Sequence, residues 1–116
     1  MENKRQIDLN AIGKLFYKEL PNVGFAYIFG SAQNGVVSSK SDVDVAFYFK
    51  DKKFANYEEL SKIYEIFGQM YPDLELDICV LNTDSVILAF EVLSGKRLFV
   101  RNSFIDKYCR IFFLNL

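Results

Sequence analysis

Residues 27–49 decide the fold of this chain, and they read YIFGSAQNGVVSSKSDVDVAFYF. An apolar run ends at Gly30-Ser31, a loop of small and polar residues follows, and Asp42-Val43-Asp44 opens the next apolar run. Short apolar runs bounded by turn residues are typical of buried strands. The stretch therefore predicts two strands, with glycine and serine where the first ends and two aspartates where the second begins.

Gly30 and Ser31 have the chemistry of a phosphate-binding turn. Ser31 is a favourable helix N-cap, and a helix that begins there would point backbone N–H groups at one spot, which favours an anion. Gly30 has no Cβ to keep a phosphate away from the backbone, and the Ser31 hydroxyl can donate one more hydrogen bond. We expect a helical turn or two here, ended by Gly35.

Asp42 and Asp44 are candidate metal ligands. They are two residues apart on the second strand, so both side chains project from one face of the sheet. Carboxylates held so close repel each other unless a cation or a proton intervenes. A hard divalent ion such as Mg²⁺ prefers oxygen ligands and keeps coordination positions for substrate phosphates. Two such ions, about 3.5–4 Å apart, can activate an attacking hydroxyl and stabilise a leaving pyrophosphate.

Asp77 is the candidate for the third carboxylate of a two-ion site. It lies in the apolar run LELDICVL at residues 74–81, where an unpaired charge is costly to bury. Glu75 lies nearer the start of that strand, where solvent reaches it. An EF-hand does not fit, because neither the glycine nor the distal glutamate of that loop follows the aspartates. A lone Asp-x-Asp is more often a solvated turn, and its combination with Gly30-Ser31 and Asp77 is what favours a nucleotide and metal site.

The composition bounds the class of protein. The length of 116 residues predicts a single domain, residues 1–116. With 14 basic and 15 acidic residues the net charge is −1, so we expect no direct nucleic-acid partner. The absence of histidine excludes Ser-His and Cys-His catalysis and histidine-ligated zinc. Without a signal peptide or a membrane-spanning run of roughly 18 apolar residues, we expect a cytoplasmic protein with no membrane partner, in which Cys79 and Cys109 are buried thiols.

Hydrophobic periodicity predicts alternating helices and strands. One helix follows Asn3 or Asp8 as its cap, and another covers residues 57–70, closed by Gly68 and Pro72. The 12 Phe and 7 Tyr residues would fill the core or, in part, form a partner interface. The order of elements indicates a compact α/β or α+β sandwich. Strands are expected at residues 24–29, 43–49, 74–81 and 98–100, and further helices at residues 85–93 and 104–114.

At these residues the chain resembles the nucleotidyltransferase superfamily related to DNA polymerase β. The signature of that superfamily is Gly-Ser, a spacer, Asp-x-Asp and a third acidic residue on a later strand. Here the spacer is residues 32–41 and the third acidic residue is Asp77. Residues 77–99 resemble the minimal nucleotidyltransferases of the MntA type, so the resemblance covers nearly the whole chain. It implies the α+β nucleotidyltransferase fold, a small mixed sheet flanked by helices.

The resemblance also implies a function. Such proteins are the antitoxins of MntA–HepT pairs, and they transfer AMP from ATP to a tyrosine of the HEPN-type ribonuclease toxin, which silences it. For this chain the resemblance implies catalysis and binding of two Mg²⁺ ions by Asp42, Asp44 and Asp77. It also implies binding of the ATP phosphates by Gly30 and Ser31, and a hetero-oligomer with a HEPN-family, HepT-like toxin.

Two other functions stay open from the sequence. One is an antitoxin that neutralises its partner by binding alone, without catalysis. The other is a nucleotidyltransferase that modifies a small molecule such as an antibiotic, although such enzymes normally carry an added substrate domain. Many members of the family have an arginine in the loop after Gly-Ser, where this chain has Asn34.

Overall fold

A computed structural model describes residues 4–38, 42–82 and 92–101 of the chain. Helices and strands do not strictly alternate along these residues as the sequence predicts, because a strand precedes the first helix and three strands lie between the first helix and the second. Single 3-10 turns lie at Gly30–Ala32 and Lys52–Phe54. In chain order, the other elements are β1 (Lys4–Gln6), α1 (Leu9–Glu19), β2 (Val23–Phe29), β3 (Val36–Ser38), β4 (Val43–Phe49), α2 (Tyr57–Met70), β5 (Leu76–Val80) and β6 (Lys96–Val100).

Four strands form the main sheet, in the order β5-β4-β2-β6. Strand β2 is antiparallel to both β4 and β6, whereas β4 and β5 are parallel. A parallel pair needs a crossover connection, and α2 provides it between β4 and β5. The expected small mixed sheet flanked by helices is therefore confirmed.

Helix α1 begins where the sequence supplies a cap. The Asp8 side chain accepts a hydrogen bond from the Ala11 N–H at 3.0 Å, which satisfies a donor that has no intrahelical partner. The helix buries Ile12 and Phe16 in the core. It ends before Pro21, which cannot continue a helix without losing a hydrogen bond. Of the two candidate caps, Asp8 is the one used.

The prediction that Gly68 closes helix α2 is wrong. The helix begins after Asn56, whose side chain accepts a hydrogen bond from the Glu59 N–H at 3.0 Å, and it continues past the glycine. A Cβ on Gly68 would meet nothing within 4 Å, so the glycine costs the helix only about 1 kcal/mol relative to alanine. Burial of Ile63 and Phe67 outweighs that cost, since each such side chain contributes about 1.5–3 kcal/mol.

The main sheet has a hydrophobic cluster on each face. On the face covered by α1 and α2, alternate strand residues such as Val45 and Phe47 pack with the helices, and the Phe16 and Phe47 rings meet edge to face at 5.3 Å between centroids. More than half of the described aromatic residues are buried, whereas Tyr17, Tyr57 and Tyr64 are exposed on the helices. The cluster on the other face includes Phe25, Tyr27, Phe29, Ala46, Leu81, Val92 and Leu93.

The sequence does not predict the small second sheet, in which β1 and β3 pair antiparallel with Arg5 opposite Val37. Each of these strands has three residues, too few to show a periodicity. The pairing has a structural consequence, because the Ile7 N–H next to β1 donates to the Gly35 carbonyl at 2.7 Å. The loop between β2 and β4 is thereby tied to the start of α1.

Four strand bounds differ from the prediction, two of them by a single residue, since β2 begins at Val23 and β5 ends at Val80. Strand β5 begins at Leu76 rather than at Leu74, because the Leu74 N–H donates to the Tyr71 carbonyl in a turn. Strand β6 extends the expected short strand back to Lys96.

The remaining predictions concern residues that the structure describes only in part. Val92 and Leu93 have helical backbone, but the rest of the helix expected at 85–93, the helix expected at 104–114 and Cys109 lie outside the described residues. Cys79 is half-buried on the edge strand β5 rather than fully buried. None of the described helices is both long and apolar enough to span a membrane.

Candidate functional site

One end of the main sheet collects the residues that the sequence singles out. Strand β2 ends at Phe29, whose partner on β4 is Asp44. Asp44 in turn is the partner of Asp77 on the parallel strand β5. Because neighbouring strands lie about 4.8 Å apart, Gly30, Asp44 and Asp77 follow one another across the sheet. We call this end, where β2 ends and β4, β5 and β6 begin, the site end.

The three aspartates share one face of the sheet. Val43 and Val45, which flank Asp44 in β4, are each 1% exposed and pack toward α1 and α2, so Asp44 points to the other face. By the same alternation Asp42 points there too, and so does Asp77 through its pairing with Asp44. Asp42 and Asp77 are exposed, whereas Asp44 is half-buried. We call this side of the sheet the carboxylate face.

Gly30 lies against the Asp44 carboxylate as only a glycine can. Its φ is +73°, in the left-handed region that residues with a Cβ adopt at a cost of about 1–2 kcal/mol. A Cβ built on Gly30 would lie 2.7 Å from Asp44 Oδ2. Since Gly30 is exposed, the end of β2 presents a backbone turn without a side chain and with a carboxylate beside it.

The prediction that Ser31 caps a helix is wrong. Gly30, Ser31 and Ala32 form a single 3-10 turn, and Phe29 occupies the cap position with extended backbone. Ser31 thus lies inside the turn, exposed, and Gly35 with its φ of +80° follows soon after. One turn aligns too few peptide dipoles to attract an anion by itself. Binding of a phosphate here would depend on the Gly30 backbone and the Ser31 hydroxyl.

The aspartates suit a divalent ion in chemistry and in backbone position. Carboxylate oxygens are the ligands that Mg²⁺ prefers. Within residues 4–38, 42–82 and 92–101, however, no group of three or more Asp, Glu, Cys or His side chains is close enough to hold a metal ion. The backbone places Asp44 beside Asp77, but the three carboxylates do not form a group of this kind. Ionised carboxylates repel one another, so a shared cation would be needed to hold them together.

Strand β6 brings basic residues to the site end. Gly95 precedes it and packs tightly on β2, since a Cβ there would lie 2.4 Å from the Ile28 carbonyl oxygen. Lys96 is then paired with Ile28 and Arg97 with Tyr27, and both basic side chains are exposed. The sequence alone gives Lys96 and Arg97 no role, because only the order of the strands places β6 beside β2.

Two surface pockets among the described residues lie away from the aspartates. One, of about 390 Å³, lies between α1 and β6 and is lined by Tyr17 and Phe99 among others. The second, of about 270 Å³, lies between α1 and α2. Asp42, Asp44 and Asp77 line neither of them, so neither pocket is a candidate for the nucleotide site.

The sequence matches a known protein family over most of its length. The family is described as "Polymerase beta, Nucleotidyltransferase", and the match covers residues 10–104. No curated protein matches the chain in sequence. The matched range includes the residues that the sequence singles out, Gly30, Ser31, Asp42, Asp44 and Asp77.

Three of the solved structures with a similar fold are of toxin–antitoxin pairs. One is a mutant of the MntA–HepT pair, with a TM-score of 0.75 and 21% identity over 94% of this chain and 86% of that chain. A second, a toxin–antitoxin with AMP-PNP, has a TM-score of 0.73 and 22% identity over 94% and 86%. A third is a tri-AMPylated Shewanella oneidensis HEPN toxin in complex with MNT antitoxin, with a TM-score of 0.67 and 20% identity over 92% and 81%. At these identities the likeness is one of fold.

Proposed function

Because the chain belongs to the polymerase β nucleotidyltransferase family, we propose that it transfers AMP from Mg²⁺-bound ATP to a tyrosine hydroxyl of a HEPN-type toxin and so acts as the antitoxin of that partner. The observation that carries the proposal is the arrangement at the site end, where Gly30 lies against Asp44 and Asp44 is paired with Asp77. The similar fold found in complex with an AMPylated HEPN toxin supports the choice of acceptor.

Each residue of the site has a part in the proposed reaction. The Gly30 backbone and the Ser31 hydroxyl hold the β- and γ-phosphates of ATP. Asp42 and Asp44 would be ligands of both Mg²⁺ ions, and Asp77 would be a further ligand on the acceptor side. Bound Mg²⁺ supplies neutralisation of the charge on the phosphates.

The transfer is a displacement at the α-phosphorus of ATP. The acceptor oxygen forms a new bond to that phosphorus, the bond from the phosphorus to the α,β-bridging oxygen breaks, and pyrophosphate leaves with the electron pair. Asp77 takes the proton of the acceptor hydroxyl, and its exposed position on the edge strand β5 is open to an approaching protein. A chain without histidine suits a reaction in which positioning and charge neutralisation do most of the catalysis.

A partner protein supplies the acceptor in this proposal. Within the described residues, every helix and strand belongs to the two sheets or to the helices that cover them, so these elements offer no separate acceptor domain. We propose a hetero-oligomer with a HEPN-type toxin, of the kind seen for the Shewanella oneidensis MNT antitoxin, formed in the cytoplasm, where ATP and Mg²⁺ are available.

Label transfer tests the proposal. The purified chain, incubated with [α-³²P]ATP, Mg²⁺ and a HEPN-type toxin encoded beside it, is expected to label the toxin on tyrosine and to silence its ribonuclease activity. The double variant Asp42→Asn with Asp44→Asn is expected to transfer no label. Glu58→Gln, which removes an exposed carboxylate from α2, is the matched control and should transfer label as the wild type does.

Two results would point to the other functions. If the wild type labels nothing while the double variant still neutralises the toxin, the chain acts by binding alone. If label appears only in an added small-molecule alcohol, such as an aminoglycoside, and never in the protein, the chain modifies small molecules. Either result would overturn the proposed transfer to a toxin.

A further inference from the structure

Strand β6 contains a β-bulge next to the site end. Phe99 is the partner of Ala26 on β2. The next residue of β2, Tyr27, is paired with Arg97 rather than with Leu98. Leu98 is therefore an extra residue, which is the mark of a bulge. One extra residue shifts the register by one, so the β6 side chains that precede Leu98 lie on the opposite face of the sheet from the one they would have in a regular ladder.

The bulge puts Arg97 on the carboxylate face. Its partner Tyr27 belongs to the hydrophobic cluster on that face together with Phe29, and Phe29 is the partner of Asp44. In a regular ladder Arg97 would instead be paired with Ile28, which packs toward α1 and α2. Bulges are common next to active sites, where they re-aim a side chain in this way.

Close packing on both sides fixes the bulge. A Cβ on Gly13 would lie 2.5 Å from the Leu98 carbonyl oxygen, so the backbone of α1 lies directly against the extra residue. Gly95 makes a similar approach to β2, where a Cβ would lie 2.4 Å from the Ile28 carbonyl oxygen. The two contacts hold the first residues of β6 between α1 and β2, so the direction of Arg97 is set by the fold.

The chemistry of the site calls for a cation in this place. Three aspartates and a triphosphate carry more negative charge than two divalent ions neutralise, and phosphate oxygens bind strongly to charged donors. Arg97 is exposed. Its backbone lies on the strand next to β2, opposite Tyr27 and therefore roughly 10 Å from Gly30 along the strand direction. The long guanidinium side chain and a triphosphate together bridge that distance, and the planar guanidinium suits bidentate phosphate binding.

From this geometry we propose that Arg97 binds the β- and γ-phosphates of the nucleoside triphosphate, on the side of Gly30 opposite the aspartates. The inference rests on the proposed function and adds a residue that neutralises the pyrophosphate leaving group. Because an AMP molecule lacks those two phosphates, Arg97 also makes the site prefer a triphosphate over a monophosphate.

Calorimetric titration of the chain with ATP, and with AMP in competition, tests this role in Mg²⁺ without a partner protein. Arg97→Gln is expected to weaken ATP binding about 10- to 100-fold, the usual effect of losing a hydrogen bond to a charged group, and to leave AMP binding nearly unchanged. Arg97→Lys keeps the charge but not the bidentate geometry, and it is expected to recover part of the affinity. Lys96→Gln is the matched control, since Lys96 is paired with Ile28 on the other face, and it should bind ATP almost as the wild type does.

The inference is overturned if Arg97→Gln keeps its Tm and binds ATP as tightly as the wild type. This holds also if the variant loses partner binding, because Arg97 would then contact the partner and not the nucleotide. It is also overturned if Arg97→Gln and Lys96→Gln weaken ATP binding equally. Should Arg97→Gln fail to fold, Arg97→Lys takes its place in the test. If Arg97→Lys binds ATP as tightly as the wild type, the site does not need a guanidinium, and the inference is overturned. If the wild-type chain binds no ATP, the proposed function itself fails, which is seen before any variant is compared.

Discussion

At the end of the main sheet opposite the site end, the side chains of Arg101 and Asn82 bond to the backbone, whereas at the site end those of Asp42 and Asp77 are exposed to solvent. Arg101 follows β6 and donates hydrogen bonds to the carbonyl oxygens of Val23 and Leu20, each at 3.1 Å, and to that of Tyr17. Its guanidinium also lies 4.1 Å from the centroid of the Tyr17 ring. One side chain thus joins the end of α1 to the start of β2.

Asn82 has a similar part on the other side of the same end. Its Oδ1 accepts a hydrogen bond from the Phe49 N–H at 2.9 Å, and its Nδ2 donates to the Phe49 carbonyl at 3.0 Å. The side chain therefore extends the pairing of β4 and β5 beyond the last strand residue. We call the end that carries Arg101 and Asn82 the closed end.

The site end shows the opposite pattern. The side chains of Asp42 and Asp77 are exposed and form no hydrogen bond or ion pair with another described residue. Gly30 has a left-handed backbone conformation beside Asp44. Like charges on one face and unusual backbone conformations cluster at functional sites. The comparison teaches that the closed end stabilises the strand register, and that the site end depends on that register for its chemistry.

Neutralising a carboxylate at the site end is expected to have the largest effect and to separate activity from stability. Asp77→Asn should slow AMP transfer about 1000-fold, since ligands of catalytic metals supply several kcal/mol of charge stabilisation. Its Tm should stay the same or rise, because one of three mutually repelling charges is removed. Single-turnover transfer and thermal unfolding, measured on the same preparation, check both. A Tm that falls together with the activity would make Asp77 a structural residue.

A pair of glycine variants sharpens the comparison further. Gly30 and Gly35 both have positive φ, +73° and +80°, so alanine at either should cost about 1–2 kcal/mol of stability. A Cβ on Gly30 meets the Asp44 carboxylate at 2.7 Å, whereas a Cβ on Gly35 meets the Ile7 carbonyl at 3.0 Å. We expect similar decreases in Tm, but a loss of transfer near 100-fold for Gly30→Ala alone, as displacements of about 1 Å cause in active sites. Equal transfer by the two variants would remove Gly30 from the site.

The smallest effect on activity is expected at the closed end. Arg101→Met should lower the free energy of unfolding by about 2–3 kcal/mol, since it removes charged hydrogen bonds from three carbonyl oxygens, and should lower the Tm by roughly 10 °C. Well below that Tm, transfer should be close to the wild-type rate. Arg101→Lys keeps the charge but not the fork of donors, so we expect an intermediate Tm. Slower AMP transfer by Arg101→Met at a temperature where the variant is fully folded would contradict the assignment of stability to the closed end and activity to the site end.

Much of the site end could be predicted from the sequence because its residues lie in short local patterns. Gly30, Asp42 and Asp44 mark the ends of two apolar runs, and Asp77 interrupts a third. Strand ends that belong to neighbouring strands meet at one edge of a sheet, so their order in the chain was enough to bring them together. The place of Ser31 could not be predicted in this way, since it depends on the backbone conformation of Gly30.

Arg97 and the closed end depend on contacts between distant parts of the chain. The face on which Arg97 lies is decided by one extra residue, Leu98, and by its packing against Gly13 of α1. The bonds of Arg101 and Asn82 reach residues 78 and 33 positions away. Such contacts leave no periodicity in the sequence, because they follow from how helices and strands pack after they form.

Crystals of the chain grown with AMP-PNP, and with Mn²⁺ in place of Mg²⁺, test most directly whether the site end holds metal and nucleotide together. Anomalous scattering is expected to show manganese bound by Asp42, Asp44 and Asp77, with the β- and γ-phosphates on Gly30 and Ser31. Manganese bound elsewhere, or a nucleotide that contacts neither Gly30 nor the aspartates, would contradict the proposed site.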